Sequence, residues 1–211
     1  MKNDKKIAVL PGLICLIPLI AGAFLYGRMP EQMPIHFNAA GEVDNYASRA
    51  VALFVLPGLL FVLTLFMPAI MKMDPKYDNM SPALRTVILW TLPAVELICS
   101  GITMASALGY DVAVELIVPF IFGLLFIVIG NYLPKTKQSY TMGIKLPWTL
   151  DSEENWNRTH RLAGFLWVIG GVLFIIAAFL KLDFWVDIVI LLIMVLVPTV
   201  YSYVFYRRSY K

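Results

Sequence analysis

Six stretches of the chain, at about 7–27, 51–71, 86–108, 112–132, 162–180 and 184–206, are apolar almost without interruption, and the polar residues gather between them. A helix rises about 1.5 Å per residue, so roughly 20 apolar residues cross about 30 Å of hydrocarbon. Every stretch is long enough. An unpaired backbone group in lipid costs several kcal/mol, so each stretch is expected to be helical and irregular backbone is confined to the loops. The pattern predicts an all-α fold, a polytopic transmembrane bundle of six spans. Seven prolines fall inside these spans, at Pro11, Pro18, Pro57, Pro68, Pro93, Pro119 and Pro198. Each removes a backbone donor and is expected to bend its helix as it packs.

The basic residues set an orientation. Lys2, Lys5 and Lys6 precede the first span, Lys72, Lys76 and Arg85 lie between the second and third, and Lys135, Lys137, Lys145, Arg158 and Arg161 lie between the fourth and fifth. Arg207, Arg208 and Lys211 follow the sixth, while only Arg28, Arg49 and Lys181 fall on the other side. The positive-inside rule then places both termini of the multi-pass chain in the cytoplasm, N-in and C-in. Tyr132, Trp148, Trp185 and the aromatic residues of 201–206 fall near span ends, where amphipathic rings anchor at the interface. The expected organisation is a two-span N-terminal domain, 1–75, followed by a four-span domain, 76–211, that carries a long cytoplasmic loop at 133–161.

Composition agrees with a lipid solvent. Of 211 residues 60% are apolar and 15% charged, and the mean hydropathy is +0.76, against roughly 45–50% and 25% in ordinary soluble domains. The net charge of +3 comes from residues at span ends and not from one stripe, so no direct nucleic-acid partner is expected. Cys15 and Cys99 each sit inside an apolar stretch, which fits buried, inert thiols and no disulfide or metal motif. The N-terminal lysines and Ala21-Gly22-Ala23 imitate a secretory signal, but the apolar run reaches Gly27, so an uncleaved first span is expected.

Two loops carry more information than linkers need. In the first, 28–49, Met33, Ile35 and Phe37 alternate with His36 and Asn38 as a short strand would arrange them. Asn38 to Gly41 then reads as a turn in which Gly41 takes a positive φ. Two readings are open here: His36, Asn38 and Asp44 converge into a polar recognition site, or they bond one another and stabilise a compact cap. In the long loop, 133–161, Gly143 and Pro147 punctuate an extended stretch, and Asp151 with Glu154 forms a capping pair that starts a helix. Trp156, His160, Ala163 or Gly164, and Trp167 recur at helical spacing, so this helix is expected to run unbroken into the fifth span with the stripe packed inward. Arg158 and Arg161 flank the stripe and suit lipid phosphates or an acidic partner.

Glu96 falls about halfway along the third span, where a charge costs roughly 2.5–3.5 kcal/mol on insertion scales. Ser100 and Thr103 continue a polar stripe from it. A protonated Glu96 hydrogen-bonded between helices is expected, and a proton or cation path is the alternative.

With these residues in view, the chain resembles the SdpI family of bacterial immunity and signalling membrane proteins over nearly its whole length. One part of the likeness is 30–44, with Pro34, His36, Asn38, Gly41 and Asp44, which is similar to the family's N-terminal domain of unknown function. The other is Gly130-Asn131-Tyr132-Leu133-Pro134-Lys135, Gly143-Ile144-Lys145, Pro147-Trp148-Thr149 and Thr159-His160-Arg161, which resembles its C-terminal signature. The resemblance implies immunity to a secreted antimicrobial peptide toxin met on the extracellular side by His36, Asn38, Gly41 and Asp44. In some members it also implies toxin sensing, followed by sequestration of a soluble transcriptional repressor at the membrane. Asn131, Pro134, Lys135, Gly143, Lys145, Pro147, Trp148, Glu154, Trp156, His160 and Arg161 are then the cytoplasmic partner surface or its structural signature. The competing reading is a proton-coupled transporter or exporter built on Glu96, although no inverted repeat accompanies it. No nucleophile and base, metal motif or phosphate loop falls on one side of the membrane, so no enzyme, cofactor or metal is expected.

Overall fold

The computed structural model describes residues 2–209, with side chains from Val9 onward. The side chains of Lys2, Lys5 and Lys6, and Lys211 altogether, lie outside the described residues. Helix α1 spans Lys2–Leu25 and is followed by a strand pair, β1 at Gln32–Phe37 and β2 at Val43–Ser48. Helices α2 at Leu56–Lys72, α3 at Pro82–Ala107 and α4 at Val114–Tyr132 come next, then the short α5 at Pro147–Asp151. The long α6 at Glu153–Phe179 and α7 at Phe184–Ser209 close the chain. Six helices are long and apolar enough to cross a membrane: Val9–Arg28, Val51–Lys72, Pro82–Ala107, Val114–Lys135, Glu153–Phe179 and Phe184–Ser209. They coincide with the six expected spans within a few residues, except that the fifth helix begins well before its apolar stretch, as the aromatic stripe at 156–167 requires.

The second span begins as a π-helical turn, Val51–Val55, closed by Leu56 N–H on the Val51 carbonyl. Pro57 explains it, because its ring presses on the carbonyl four residues back and its missing N–H leaves the α ladder open there.

Two compact units form, one from residues 1–72 and 85–114, the other from 73–84 and 115–211. In the first, Met29, Met33, Ala52, Leu53 and Met104 are buried together beneath the strand pair. In the second, α4 and α6 approach so closely that a methyl group on Gly171 would stand 2.5 Å from the Gly123 carbonyl oxygen, and one on Gly164 would stand 2.5 Å from the Pro134 ring. Small residues allow this contact, and in lipid such close packing takes over from hydrophobic burial. Phe126 meets Trp167 and Phe174 edge-on at 5.5 and 5.2 Å beside it.

Candidate functional sites: a hairpin and a clasped loop

The strand pair is a two-stranded antiparallel hairpin, and its register slips twice around His36, between Pro34 and Phe37. Pro34 cannot donate to the ladder, which favours irregular pairing at this point. Met33 turns inward and is fully buried, whereas His36 is exposed. Arg49 holds the base of the hairpin: its guanidinium donates to the Tyr26 carbonyl at 2.8 Å and lies 4.6 Å over the Tyr26 ring.

His36 Nδ1 meets Asp44 Oδ1 across the strands at 2.5 Å. Asn38 is occupied differently. Its Oδ1 accepts from the N–H groups of Ala40 and Glu42, and its Nδ2 donates to Glu42, so it builds the turn in which Gly41 has φ of 78°. Of the three polar residues singled out in the sequence, then, two converge and the third shapes the bend. The His36 and Asp44 side chains are 66% and 43% exposed. So open a pair adds little to stability, which leaves both side chains available to a ligand.

The 133–151 loop is folded onto the start of α6. Trp156 and His160 are fully buried and stacked, ring centroids 3.9 Å apart. His160 Nδ1–H donates to the Trp156 carbonyl at 2.8 Å, and Nε2 accepts from the Ile144 N–H at 2.9 Å. Both contacts together require the neutral tautomer with its proton on Nδ1. Trp156 Nε1–H donates to the Thr136 carbonyl at 2.8 Å, pinning the loop's other arm. Gly143, at φ of 110°, passes directly over these two rings.

From α5, Trp148 donates to Ser202 Oγ at 2.9 Å, and from α6 Asn155 donates to the Ser202 carbonyl at 3.0 Å while accepting from Thr159. Trp148 also packs against Tyr203 and Tyr206 of α7. It is therefore tied to protein as well as placed at a span end. Ser202→Ala is expected to cost about 1–2 kcal/mol, because the hydroxyl both accepts from Trp148 and donates to the Thr199 carbonyl. Changed tryptophan emission of the detergent-solubilised protein, with a small drop in melting temperature, would report it; an unchanged spectrum and midpoint would contradict it.

The capping pair expected at Asp151 and Glu154 is not the one that forms. Asp151 ends α5, and Ser152 caps α6 by accepting the Asn155 N–H at 3.2 Å. A serine one residue later competes successfully because Glu154 instead pairs with Arg158 at 2.8 Å. Glu153, Glu154, Asn157, Arg158 and Arg161 line an open groove on the outer side of α6. Asn131, Pro134, Lys135, Lys145 and Pro147 are likewise exposed. The signature thus divides into an inward set centred on Gly143, Trp156 and His160 and an exposed set that carries Lys135, Lys145 and Arg161.

Asp74 was not singled out in the sequence, yet it clasps this loop. Its Oδ2 accepts from Ser139 Oγ at 2.6 Å and from the N–H groups of Tyr140 and Thr141 at 2.9 and 2.8 Å; its Oδ1 accepts from the Lys76 N–H at 2.8 Å. Burial pushes its carboxyl up, but hydrogen bonds from Ser139, Lys76 and Thr141 outweigh that and bring it from 3.8 down to about 2. Lys76 adds a bond to Gln138, which in turn donates to the carbonyls of Thr149 and Leu150. The local signal was Asp74-Pro75, a turn-forming pair.

Glu96 is fully buried in the first unit beside Cys15, and Ser100 is buried as well. The interhelical partner expected of Glu96 is present only as the Cys15 thiol of α1, a weak donor that meets neither carboxyl oxygen in good hydrogen-bond geometry. Thr64, the nearby hydroxyl, is spent on the Leu60 carbonyl of its own helix at 2.8 Å and faces the Cys15 thiol at 3.5 Å. Thr103 is half-buried. The reading of both cysteines as buried also needs correction: Cys15 is, but Cys99 is exposed on α3, where lipid is an acceptable surround for a thiol.

Fold and sites together define a multi-pass membrane protein with a polar hairpin in its N-terminal third and a clasped loop before its fifth span. The SdpI/YfhL protein family matches residues 135–202, and a domain of unknown function, DUF1648, matches residues 13–61. Over 200 residues the chain is 26% identical to "Immunity protein SdpI" of Bacillus subtilis (strain 168), covering 93% of each chain. No solved structure matches. The family match and the relative agree with the resemblance to the SdpI family read from the sequence.

Proposed function

We propose that this protein gives the cell that makes it immunity to a secreted antimicrobial peptide toxin. The observation that carries the proposal is the end-to-end likeness to an immunity protein, 93% of each chain, spanning the hairpin and the clasped loop alike. Threading is N-in and C-in in the bacterial cell membrane, which puts the hairpin outside and the basic loop inside. The toxin meets His36 and Asp44. A histidine and a carboxylate on the open face of a rigid hairpin offer a donor and an acceptor within one hydrogen-bond span, suited to the backbone or polar side chains of a peptide.

Sensing requires one further step. Toxin must favour one arrangement of the helices over another, and that difference must reach the exposed set on the loop. Lys135, Lys145, Arg158 and Arg161 then attract a soluble transcriptional repressor with an acidic face to the membrane, or anionic lipid headgroups. The proton-coupled exporter remains the rival, and it rests on Glu96.

His36→Ala and Asp44→Ala are expected to remove protection of a sensitive host challenged with a panel of purified secreted bacterial peptides, while membrane abundance stays at the wild-type level. Both residues are exposed, so the substitutions spare the core. Full protection by the double variant would take the hairpin out of the mechanism. No protection by the wild-type chain against any peptide of the panel would count against immunity itself.

A further inference from the structure

The first unit contains a group that the immunity reading does not use. Glu96 lies at the middle of α3, fully buried, with the sulfur of Cys15 from α1 beside it and the hydroxyl of Thr64 from α2 against that sulfur. Ser100, one turn further along α3, is the other buried hydroxyl of the cluster. Both Glu96 oxygens lie out of solvent, and among the described residues they face only the Cys15 thiol, a weak donor in poor hydrogen-bond geometry. Natural proteins rarely leave a buried carboxyl in that condition, and an orphaned one calls for an explanation such as a bound ion or a functional proton. A bare carboxylate at this depth costs several kcal/mol, so a positive charge must accompany it.

No neighbouring side chain supplies that charge. Among the described residues Cys15 is the titratable group facing Glu96 from α1, the neutral Thr64 of α2 meets that thiol, and no lysine or arginine acts on the acid. Prolines surround the cluster. Pro11 stands one turn before Cys15, Pro93 three residues before Glu96 and Pro68 one turn after Thr64, and Pro11 and Pro93 are fully buried. Of these, Pro68 frees a carbonyl at the level of the cluster, that of Thr64, and a free carbonyl with hydroxyls and a carboxylate is the kind of oxygen donor set a small cation takes inside a membrane protein.

We infer that Glu96 is an exchangeable cation site, taking up a proton or a sodium-sized ion where only a weak thiol donor faces the carboxyl. The exchange is a simple competition: the carboxyl O–H bond breaks as the proton leaves, and the carboxylate then holds the metal ion or is reprotonated. Carboxyl chemistry tests this separately from toxin protection. Dicyclohexylcarbodiimide, a hydrophobic probe, reacts with a protonated carboxyl, and mass spectrometry locates the adduct. With the full chain in lipid vesicles, Glu96 is expected to be labelled, and Glu96→Gln to lose that label. Labelling should fall about tenfold per pH unit above its midpoint if the ion is a proton alone. It should fall likewise with added sodium, but not with choline, at fixed pH if the site also takes the metal ion. Labelling that is absent, or that ignores both pH and sodium, overturns the inference and leaves Glu96 a locked structural acid. Neither result touches the immunity reading, which rests on the hairpin.

Discussion

Gly143→Ala is expected to unseat the 133–151 loop and to lower the stability of the detergent-solubilised protein by about 2–4 kcal/mol. Gly143 has φ of 110°, outside the wells that a residue with a side chain enters cheaply. An added methyl would collide with His160 Nε2 and stand 2.7 Å from the Trp156 ring. Neither ring can yield. Trp156 is tied to the Thr136 carbonyl, His160 is bonded at both nitrogens, and both are fully buried. The backbone of 143 must therefore lift, and the Ile144 N–H leaves His160 with it. For a chain of this size the thermal midpoint should drop by about 5–10 °C, and trypsin should cut more readily at the neighbouring exposed Lys137 and Lys145. A variant with wild-type melting and cleavage would show that the loop does not depend on this contact.

The same residues show what a sequence discloses. The six spans were legible because lipid demands about 20 apolar residues in a row, a signal too long to arise from packing detail. The inward stripe from Trp156 to Ala163 was legible too, since helical spacing survives the change from loop to span. Strand β1 announced itself by alternation, with Met33 buried and His36 exposed. Its partner did not: Val43–Ser48 is mostly exposed and carries polar residues on both faces, so it has no alternating pattern to read. The π turn at Val51–Val55 follows from Pro57 only once its position near a helix start is known.

Long-range polar pairings were the least legible. His36 and Asp44 are eight residues apart and could be matched across a turn, but Asp74 and Ser139 are separated by 65 residues, and nothing local to either names the other. Asn38 illustrates the opposite difficulty. It is the right residue for a recognition site and equally the right residue for an Asx turn, and the two N–H groups at Ala40 and Glu42 decide the matter at short range.

Asp74→Ala is expected to release the same loop from its other side, with a loss of about 3 kcal/mol, because a buried carboxylate that accepts several hydrogen bonds is removed and its donors are stranded. Asp74→Asn, which keeps one acceptor oxygen, should lose less. The pH dependence separates a clasping charge from mere packing. The folded carboxyl titrates at about 2 against an ordinary 3.8, so it is depressed in the folded state. Its contribution is therefore fully present above pH 4 and is lost as pH falls toward 2, and it amounts to about 2 kcal/mol at most. Melting curves of wild type and Asp74→Asn recorded from pH 7 down to 2 should differ at the upper end and converge at the lower. Curves that stay parallel throughout would mean that the Asp74 carboxyl is uncharged, or solvated, in the folded protein. A Ser139→Ala variant adds the decisive comparison: if Ser139 acts through Asp74, its effect in the wild-type background should shrink in the Asp74→Ala background, whereas strict additivity would place the two residues in separate roles.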